Sequence, residues 1–253
     1  MEKTFTKPLH ALRNNEIEII KDLFLKCDNK SILELGCGDG FQSKLLKNYF
    51  HKIISTDLNE NRMNFELANQ GITLKVLDAE LVGENYPKES FDFVFSSNML
   101  EHIPDYNKCL KGIKHILKND GIAIIILPNT LWRLSGIIFH YPYKLRNLYF
   151  KILGKRKSKN ESIGNNIKTS KKSHRILNLL FPKAHGAYKN SLVELYEFSK
   201  YKWEKVFLNA GFQIVEIRKG PLSSGYRFGF NKIKKLLAKI GLTTEYIYVL
   251  KKA

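Results

Sequence analysis

The feature that most constrains the fold is a series of short, predominantly apolar runs that alternate with segments of helical periodicity. Predicted strands cover residues 31–35, 51–57, 72–77, 91–96 and 121–127, and predicted helices cover 15–26, 42–50, 60–69 and 107–117. Strands that are apolar on both faces are typical of a parallel sheet that is covered by helices on both sides. The sequence therefore predicts an α/β fold.

Glycine and acidic residues follow the predicted strands, where such folds bind ligands. The turn after the first strand reads GCGDG, Asp57 ends the second strand, and Asp78 follows the third. Glycines allow the backbone to turn sharply and to approach a ligand at a helix N-terminus. Asp57 lies 21 residues beyond Gly36 and can accept hydrogen bonds from ribose hydroxyls. These positions predict a cofactor that contains a nucleoside.

The glycine pattern differs from those of dinucleotide and triphosphate sites. The third glycine of the dinucleotide pattern G-x-G-x-x-G is replaced by Phe41, and no Lys-Ser or Lys-Thr pair follows the turn. This departure disfavours NAD, FAD and a phosphate-binding loop.

Five segments, taken in order, resemble the motifs of class I S-adenosylmethionine-dependent methyltransferases, and are most like the type 11 branch with its ubiquinone-pathway enzymes. They are ILELGCGDG, STDLNE, LDAE, FDFVFSSNMLEHI and LKNDGIAIIILPN, within about residues 29–130. The resemblance implies a Rossmann-like, seven-stranded, mostly parallel sheet with helices on both faces. It also implies an antiparallel last strand over 245–250, after a sixth strand over 212–218, and a helical basic insertion after the fifth strand.

By this resemblance the cofactor is S-adenosylmethionine. Its methionine end would meet Glu34 and the turn formed by Gly36, Cys37, Gly38, Asp39 and Gly40. Asp57 would bind the ribose and Leu58 would lie beside the adenine. The adenine amine would be flanked by Asp78, Ala79 and Glu80, and the floor under the sulfonium would be formed by Ser96 and Ser97.

The segment after the fourth strand supplies the catalytic candidates. By the family's geometry His102 faces the acceptor, and we expect it to remove the proton of a hydroxyl group; a packed structural ring is the alternative. Glu101 and His102 also resemble the E-x-x-E-H metal segment of ubiquinone-pathway O-methyltransferases, but Asn98 occupies its first position. We therefore predict no metal site. SSNML replaces the [DN]-P-P-[YF] segment of many amino-group methyltransferases, which favours oxygen as the acceptor atom.

The net charge of +18 is confined to the second half of the chain. Residues 1–138 contain 17 basic and 18 acidic side chains, whereas residues 139–253 contain 25 and 6. Between residues 139 and 175 there are 11 Lys or Arg and one acidic residue, interleaved with aromatic residues. This composition predicts contact with an anionic partner, which could be a membrane surface, a phosphate-bearing acceptor or RNA.

Two further segments of the basic half are of interest. The stretch around His185 and Gly186 resembles methyltransferases encoded with surface-polysaccharide enzymes. His185 could therefore serve as a second base or sugar-binding group, or simply cap a helix. The stretch 231–240 predicts a basic helix packed on the sheet, with membrane contact through its lysines as an addition.

These observations predict three regions: a cofactor-binding core over 1–130, a basic aromatic insertion over 131–200, and the completion of the sheet over 201–253. Three scattered cysteines and the absence of a long apolar run predict neither a disulfide framework nor a membrane span. The expected protein is a cytoplasmic, peripherally membrane-bound enzyme that O-methylates a sugar or similar hydroxyl on a lipid-linked or anionic acceptor. An RNA methyltransferase and a non-catalytic S-adenosylmethionine-binding protein are the alternatives.

Overall fold

The structure is a computed structural model that describes residues 3–25, 30–135, 195–222, 239 and 241–253. Seven strands form one sheet: β1 (Ser31–Leu35), β2 (Lys52–Asp57), β3 (Thr73–Val76), β4 (Phe91–Ser97), β5 (Leu117–Pro128), β6 (Phe212–Lys219) and β7 (Glu245–Lys252). Their order across the sheet is β3-β2-β1-β4-β5-β7-β6. Pairing is parallel from β3 to β5, and β7 is antiparallel to both of its neighbours. The predicted fold class is confirmed.

The described helices are α1 (Lys3–Ile20), α2 (Phe41–Leu46), α3 (Val82–Asn85), α4 (Tyr106–Ile116) and α5 (Lys200–Asn209). Short 3₁₀ helices cover Lys21–Phe24, Glu60–Arg62, Phe65–Gln70, Ala79–Leu81 and Leu100–His102. Along the chain, β2 and β3 are added on one side of β1, and β4 and β5 on the other. The reversal leaves a crevice beyond the carboxyl ends of β1 and β4, which is where open α/β sheets bind ligands.

Each face of the sheet is covered by its own apolar layer. On one face Phe24, which follows α1, contacts Phe50 and Phe93 with ring centroids 5.2 and 5.9 Å apart. On the other face Trp203 and Phe207 of α5 are buried against β5 and β7. These two layers explain why the strands are apolar on both faces.

Two helix predictions are wrong in part. The single helix expected over 60–69 is two 3₁₀ helices, because the side chains of Asn59 and Asn64 accept hydrogen bonds from the backbone two residues ahead and each starts a new turn. The helix expected over 15–26 begins at Lys3 and ends at Ile20. The prediction missed about three turns, residues 3–14, in which Pro8 interrupts an apolar stripe of Phe5, Leu9 and Leu12, because a proline is disfavoured inside a helix.

Several predictions fall outside the described residues: nearly all of the basic insertion and of the 231–240 helix, and the residues Cys27, His185 and Gly186. Within the described part, no helix has the length and apolarity that crossing a membrane requires. Cys37 and Cys109 are buried thiols.

A close contact between two glycines positions the segment that follows β3. Gly112, inside α4, lies so near α3 that a Cβ placed on it would meet the Gly83 backbone nitrogen at 2.8 Å and Val82 Cγ1 at 2.7 Å. A glycine in a helix interior costs about 1 kcal/mol relative to alanine. Here the absence of a side chain on Gly112 allows α4 to pack directly against α3.

We predict that Gly112→Ala lowers stability although it improves the helix propensity of α4. The methyl group forces the two backbones apart, and overpacking of this kind costs about 1–3 kcal/mol. The melting temperature should fall by at least about 2 °C in thermal unfolding. Lys111→Ala, on the exposed side of the same helix, is the control. A melting temperature equal to or above that of the wild type would contradict the packing account.

Candidate active site

A cavity of about 920 Å³ lies at the carboxyl edge of the sheet. Its volume falls within the range of small-molecule sites. The segments after β1, β2, β3 and β4 line it, together with one side of α1. The lining residues include Leu9, His10, Arg13, Gly36, Cys37, Gly38, Asp39, Phe41, Gln42, Asp57, Leu58, Arg62, Leu77, Asp78, Ala79, Glu80, Ser97, Asn98, Met99, His102 and Ile103.

The glycine turn after β1 forms the inner wall of this cavity. The backbone N–H groups of Gly36 and Cys37 both donate to the carbonyl of Thr56 in β2, at 2.8 and 2.9 Å. Gly36 has a φ of +79°, and a Cβ there would lie 2.6 Å from Met99 Cγ. Any other residue at this position would be strained and would clash, so the turn requires a glycine there. The turn then leads directly into α2.

Asp57 is the central polar group of the site. It is buried, and its Oδ2 accepts the backbone N–H of Gly38 at 2.8 Å while its Oδ1 accepts that of Asn59 at 2.9 Å. Each carboxylate oxygen has two lone pairs, so one on each oxygen is left for a ligand. Two acceptors side by side match the two hydroxyls of a ribose. Leu58, next along the chain, is largely exposed and lines the cavity.

The residues after β3 form a second polar edge. Asp78 Oδ1 accepts the backbone N–H of Glu80 at 3.0 Å. Glu80 Oε1 in turn accepts the backbone N–H of Asp105 at 2.9 Å, immediately before α4. Asp78, Ala79 and Glu80 all line the cavity. This edge therefore rests on α4, whose position depends on the contact between Gly83 and Gly112.

Glu34 lies behind the glycine turn and is absent from the described cavity lining. Its Oε2 accepts hydrogen bonds from Ser43 at 2.5 Å and from Ser55 at 2.7 Å. Burial raises the pKa of this carboxyl, and the two hydroxyl donors oppose that rise. The resemblance assigned Glu34 to the methionine end of the cofactor. The structure places it behind the turn, where it connects β1, β2 and α2.

The two serines that end β4 have different positions. Ser97 lines the cavity, whereas the hydroxyl of Ser96 is buried and makes no hydrogen bond within the described residues. Successive side chains of a strand point to opposite faces, which separates the pair. Of the two serines, Ser97 is therefore the one that can form the floor of the cavity.

His102 and Glu101 follow β4 in a 3₁₀ turn. The side chain of His102 is 51% exposed and lines the cavity, whereas that of Glu101 is 3% exposed and lies behind it. His102 Nε2 is 3.7 Å from Glu101 Oε1. Burial raises the pKa of Glu101 to about 8. Of the two, His102 alone reaches the cavity. Within the described residues, no three His, Cys, Asp or Glu side chains are arranged to hold a metal ion.

The contribution of α1 was missed by the sequence interpretation. His10 stacks on Phe41 with ring centroids 3.9 Å apart, and its Nε2 lies 2.7 Å from Asp39 Oδ2. Arg13, one turn further along α1, lines the cavity and donates to Ser97 Oγ at 2.5 Å. Both side chains precede the predicted start of the helix. Their three-residue spacing, continued by Glu16, was the signal available in the sequence.

Comparison with known proteins agrees with this geometry. The profile of a family described as "Methyltransferase domain" matches residues 33–125. Ubiquinone biosynthesis O-methyltransferase from Haemophilus ducreyi is 28% identical over 153 residues, which cover 56% of this chain and 64% of that protein. A probable S-adenosylmethionine-dependent methyltransferase from Mycobacterium tuberculosis is 24% identical over 106 residues, which cover 42% and 38%. The chain thus spans less than two thirds of the length of these relatives.

Solved structures share the fold of this chain. An S-adenosylmethionine-dependent methyltransferase from Mesorhizobium loti has a TM-score of 0.58 at 12% identity, covering 94% of this chain and 98% of that one. A possible histamine N-methyltransferase from Thermotoga maritima has a TM-score of 0.56 at 16% identity, covering 100% and 95%. At these identities the likeness shows the fold alone. Together with the profile match, it shows that residues 33–125 are similar to a methyltransferase domain and that the chain has the fold of these enzymes.

Proposed function

We propose that the protein is an S-adenosylmethionine-dependent methyltransferase that methylates a hydroxyl oxygen. One observation carries the proposal: the glycine turn and the half-satisfied Asp57 carboxylate meet at the reversal of strand order. This geometry suits a ligand in which a ribose lies against Asp57 and a small polar group, attached to the nucleoside, lies against the glycine turn. The missing third glycine, at Phe41, is compatible with a cofactor that has no pyrophosphate.

The residues on the cavity wall match the parts of this cofactor. Asp57 would accept the ribose hydroxyls, and the apolar side chains of Leu58 and Ala79 would border the adenine. The turn from Gly36 would hold the methionine end, where Arg13 supplies a cation for the carboxylate. Each group of the cofactor thus has a chemically suitable partner among the described residues.

The chemistry requires mainly alignment and one proton acceptor. The cofactor supplies an activated methyl group on its sulfonium, so the protein has to orient the acceptor and exclude water. His102 lines the cavity with an accessible ring and would remove the proton of the acceptor hydroxyl. Glu101, buried behind it, would orient the ring. We assign catalysis to His102, with Glu101 in support and His185 as a second group on the acceptor.

The acceptor is proposed from the basic half of the chain. Residues 139–253 carry 25 basic and 6 acidic side chains, with aromatic residues among them in the insertion. Such a segment suits an anionic lipid surface, so we propose a sugar or similar hydroxyl on a lipid-linked or anionic acceptor, methylated at the cytoplasmic face of a membrane. The name of the relative from Haemophilus ducreyi supports oxygen as the acceptor atom.

The same basic composition supports a second candidate, an RNA methyltransferase that binds phosphates with this half of the chain. A protein that binds the cofactor without catalysis is the third. Transfer of radiolabelled methyl groups into fractionated lipid, glycan and RNA extracts separates all three. Label in lipid or glycan supports the first candidate, label in RNA the second, and no label in any fraction the third.

Flotation with anionic liposomes at low salt tests the proposed binding of the protein to a membrane surface, and failure to bind would contradict it.

We predict that Asp57→Ala abolishes measurable cofactor binding. The substitution removes two acceptors for the ribose, and each hydrogen bond to a charged group contributes about 1.5–3 kcal/mol. The affinity for S-adenosylhomocysteine should therefore fall by at least about 100-fold in isothermal titration calorimetry. Asp120→Ala, at an exposed position, is the control. Unchanged affinity of the Asp57 variant would overturn the assignment of the nucleoside site.

We predict that His102→Ala binds the cofactor normally but turns over at least about tenfold more slowly, because it lacks the proton acceptor. Calorimetry measures the binding, and methyl transfer to the acceptor that the labelling experiment identifies measures the turnover. His115→Ala, on the exposed side of α4, controls for the loss of an imidazole. Equal turnover of the wild type and the His102 variant would exclude His102 as the base.

A further inference from the structure

A cluster of ionisable side chains lies at and directly behind the cavity wall, and two of its members, Glu16 and Glu245, have no role in the account above. Three carboxyl groups, those of Glu16, Glu101 and Glu245, are all buried, and Arg13 is the cation that acts on them. They come from α1, from the turn after β4, and from the start of β7. Three buried carboxyls beside one guanidinium cannot all be ionised without a large desolvation cost.

Glu16 is the centre of this cluster. Its Oε1 accepts Arg13 Nη1 at 2.6 Å, and its Oε2 accepts Ser97 Oγ at 2.7 Å and Gln42 Nε2 at 2.9 Å. Three donors on one fully buried carboxylate leave one of its four acceptor positions. Arg13, Gln42 and Ser97 all line the cavity, although Glu16 does not. Glu16 thus fixes three wall residues from behind.

The hydrogen bonds also fix the orientation of Ser97. Its Oγ accepts Arg13 Nη1 at 2.5 Å and Asn98 Nδ2 at 3.2 Å, so its own proton is the one donated to Glu16. A hydroxyl has one donor and two acceptor positions, and all three are therefore used. Ser97 forms the floor of the cavity but has no proton to offer a ligand.

The carboxyl of Glu245 is a close neighbour of Glu16 and interacts with it. Burial raises the pKa of the Glu245 carboxyl well above its usual range, and the neighbouring Glu16 raises it further. Glu245 also interacts with the side-chain amide of Asn98. Its stem packs against the backbone immediately after β6, where a Cβ on Gly220 would meet Glu245 Cγ at 2.4 Å. Of the two carboxyl groups, Glu16 and Glu245, we therefore expect that of Glu245 to carry the proton.

We propose that Glu16 is a positioning residue of the cofactor site: it holds Arg13 and Ser97 in place on the cavity wall, and the protonated carboxyl of Glu245 donates the fourth hydrogen bond to it. The inference rests on the proposed function, since it concerns the wall that meets the methionine end of the cofactor. It adds β7 to the elements that support the site, although neither Glu16 nor Glu245 touches the cavity.

The proposal predicts opposite behaviour for two isosteric substitutions. Glu16→Gln places an amide N–H₂ among four converging donors and keeps one acceptor oxygen, so it should weaken the affinity for S-adenosylhomocysteine at least about tenfold. Glu245→Gln keeps both a donor toward Glu16 and an acceptor toward Asn98, so its affinity should stay within about threefold of the wild type. Glu18→Gln, on the exposed side of α1, is the control. Calorimetry measures the affinity, and thermal unfolding shows that each variant is folded at the titration temperature.

A double-mutant cycle separates positioning from general destabilisation. If Glu16 acts through Arg13, Glu16→Gln should cost less than about threefold in affinity when it is introduced into Arg13→Ala. An equal loss in both backgrounds would overturn the proposal, and so would a larger loss from Glu245→Gln than from Glu16→Gln. A wild-type protein that does not bind S-adenosylhomocysteine would refute the proposed function, and the positioning role with it. A binding wild type with the reversed order of variants would refute the positioning role alone.

Discussion

The site depends on the way the end of β2 holds the turn that follows β1. Three consecutive N–H groups of that turn, from Gly36 to Gly38, donate to Thr56 and Asp57 at the end of β2. The same bonds stop β1, shape the cavity wall and fix the orientation of the Asp57 carboxylate. Together with the N–H of Asn59, the N–H of Gly38 uses half of the acceptor capacity of that carboxylate, and the other half is left for a ligand. The Asp57 carboxylate thus holds the turn in place and, in the proposed function, also binds the ligand.

The remaining walls are attached to this centre from three directions. The residues after β3 rest on α4 through Glu80, and α4 owes its position to a helix contact that only glycine permits. The floor after β4 is held from behind by Glu16 of α1. Because α1 also contributes Arg13 and the stacked His10, the helix is both a cover for one face of the sheet and one wall of the site. Glu16 is buried where α1 meets the sheet, and its hydrogen bonds join the packing of this helix to the cavity wall.

The sequence was sufficient for the sheet and for the residues whose backbone position determines their role. Apolar strands and the glycine turn carry local signals, so the first five strands and the position of Asp57 at the end of β2 could be predicted. The last two strands followed from the family resemblance. Glu34 and Ser96 carry the same family signal, but their placement depends on which face of a strand they occupy. The roles of Arg13, Glu16 and Glu245 depend on contacts between α1, β4 and β7, which are remote in sequence. No local pattern identifies such contacts.

The central claim is that this cavity binds S-adenosylmethionine and not a dinucleotide. The most direct test is calorimetric titration of the wild-type protein with S-adenosylhomocysteine, with NAD⁺ titrated in parallel. The account predicts saturable one-to-one binding of S-adenosylhomocysteine and no heat of binding for NAD⁺. Binding of NAD⁺, or no binding of S-adenosylhomocysteine by folded protein, would contradict it.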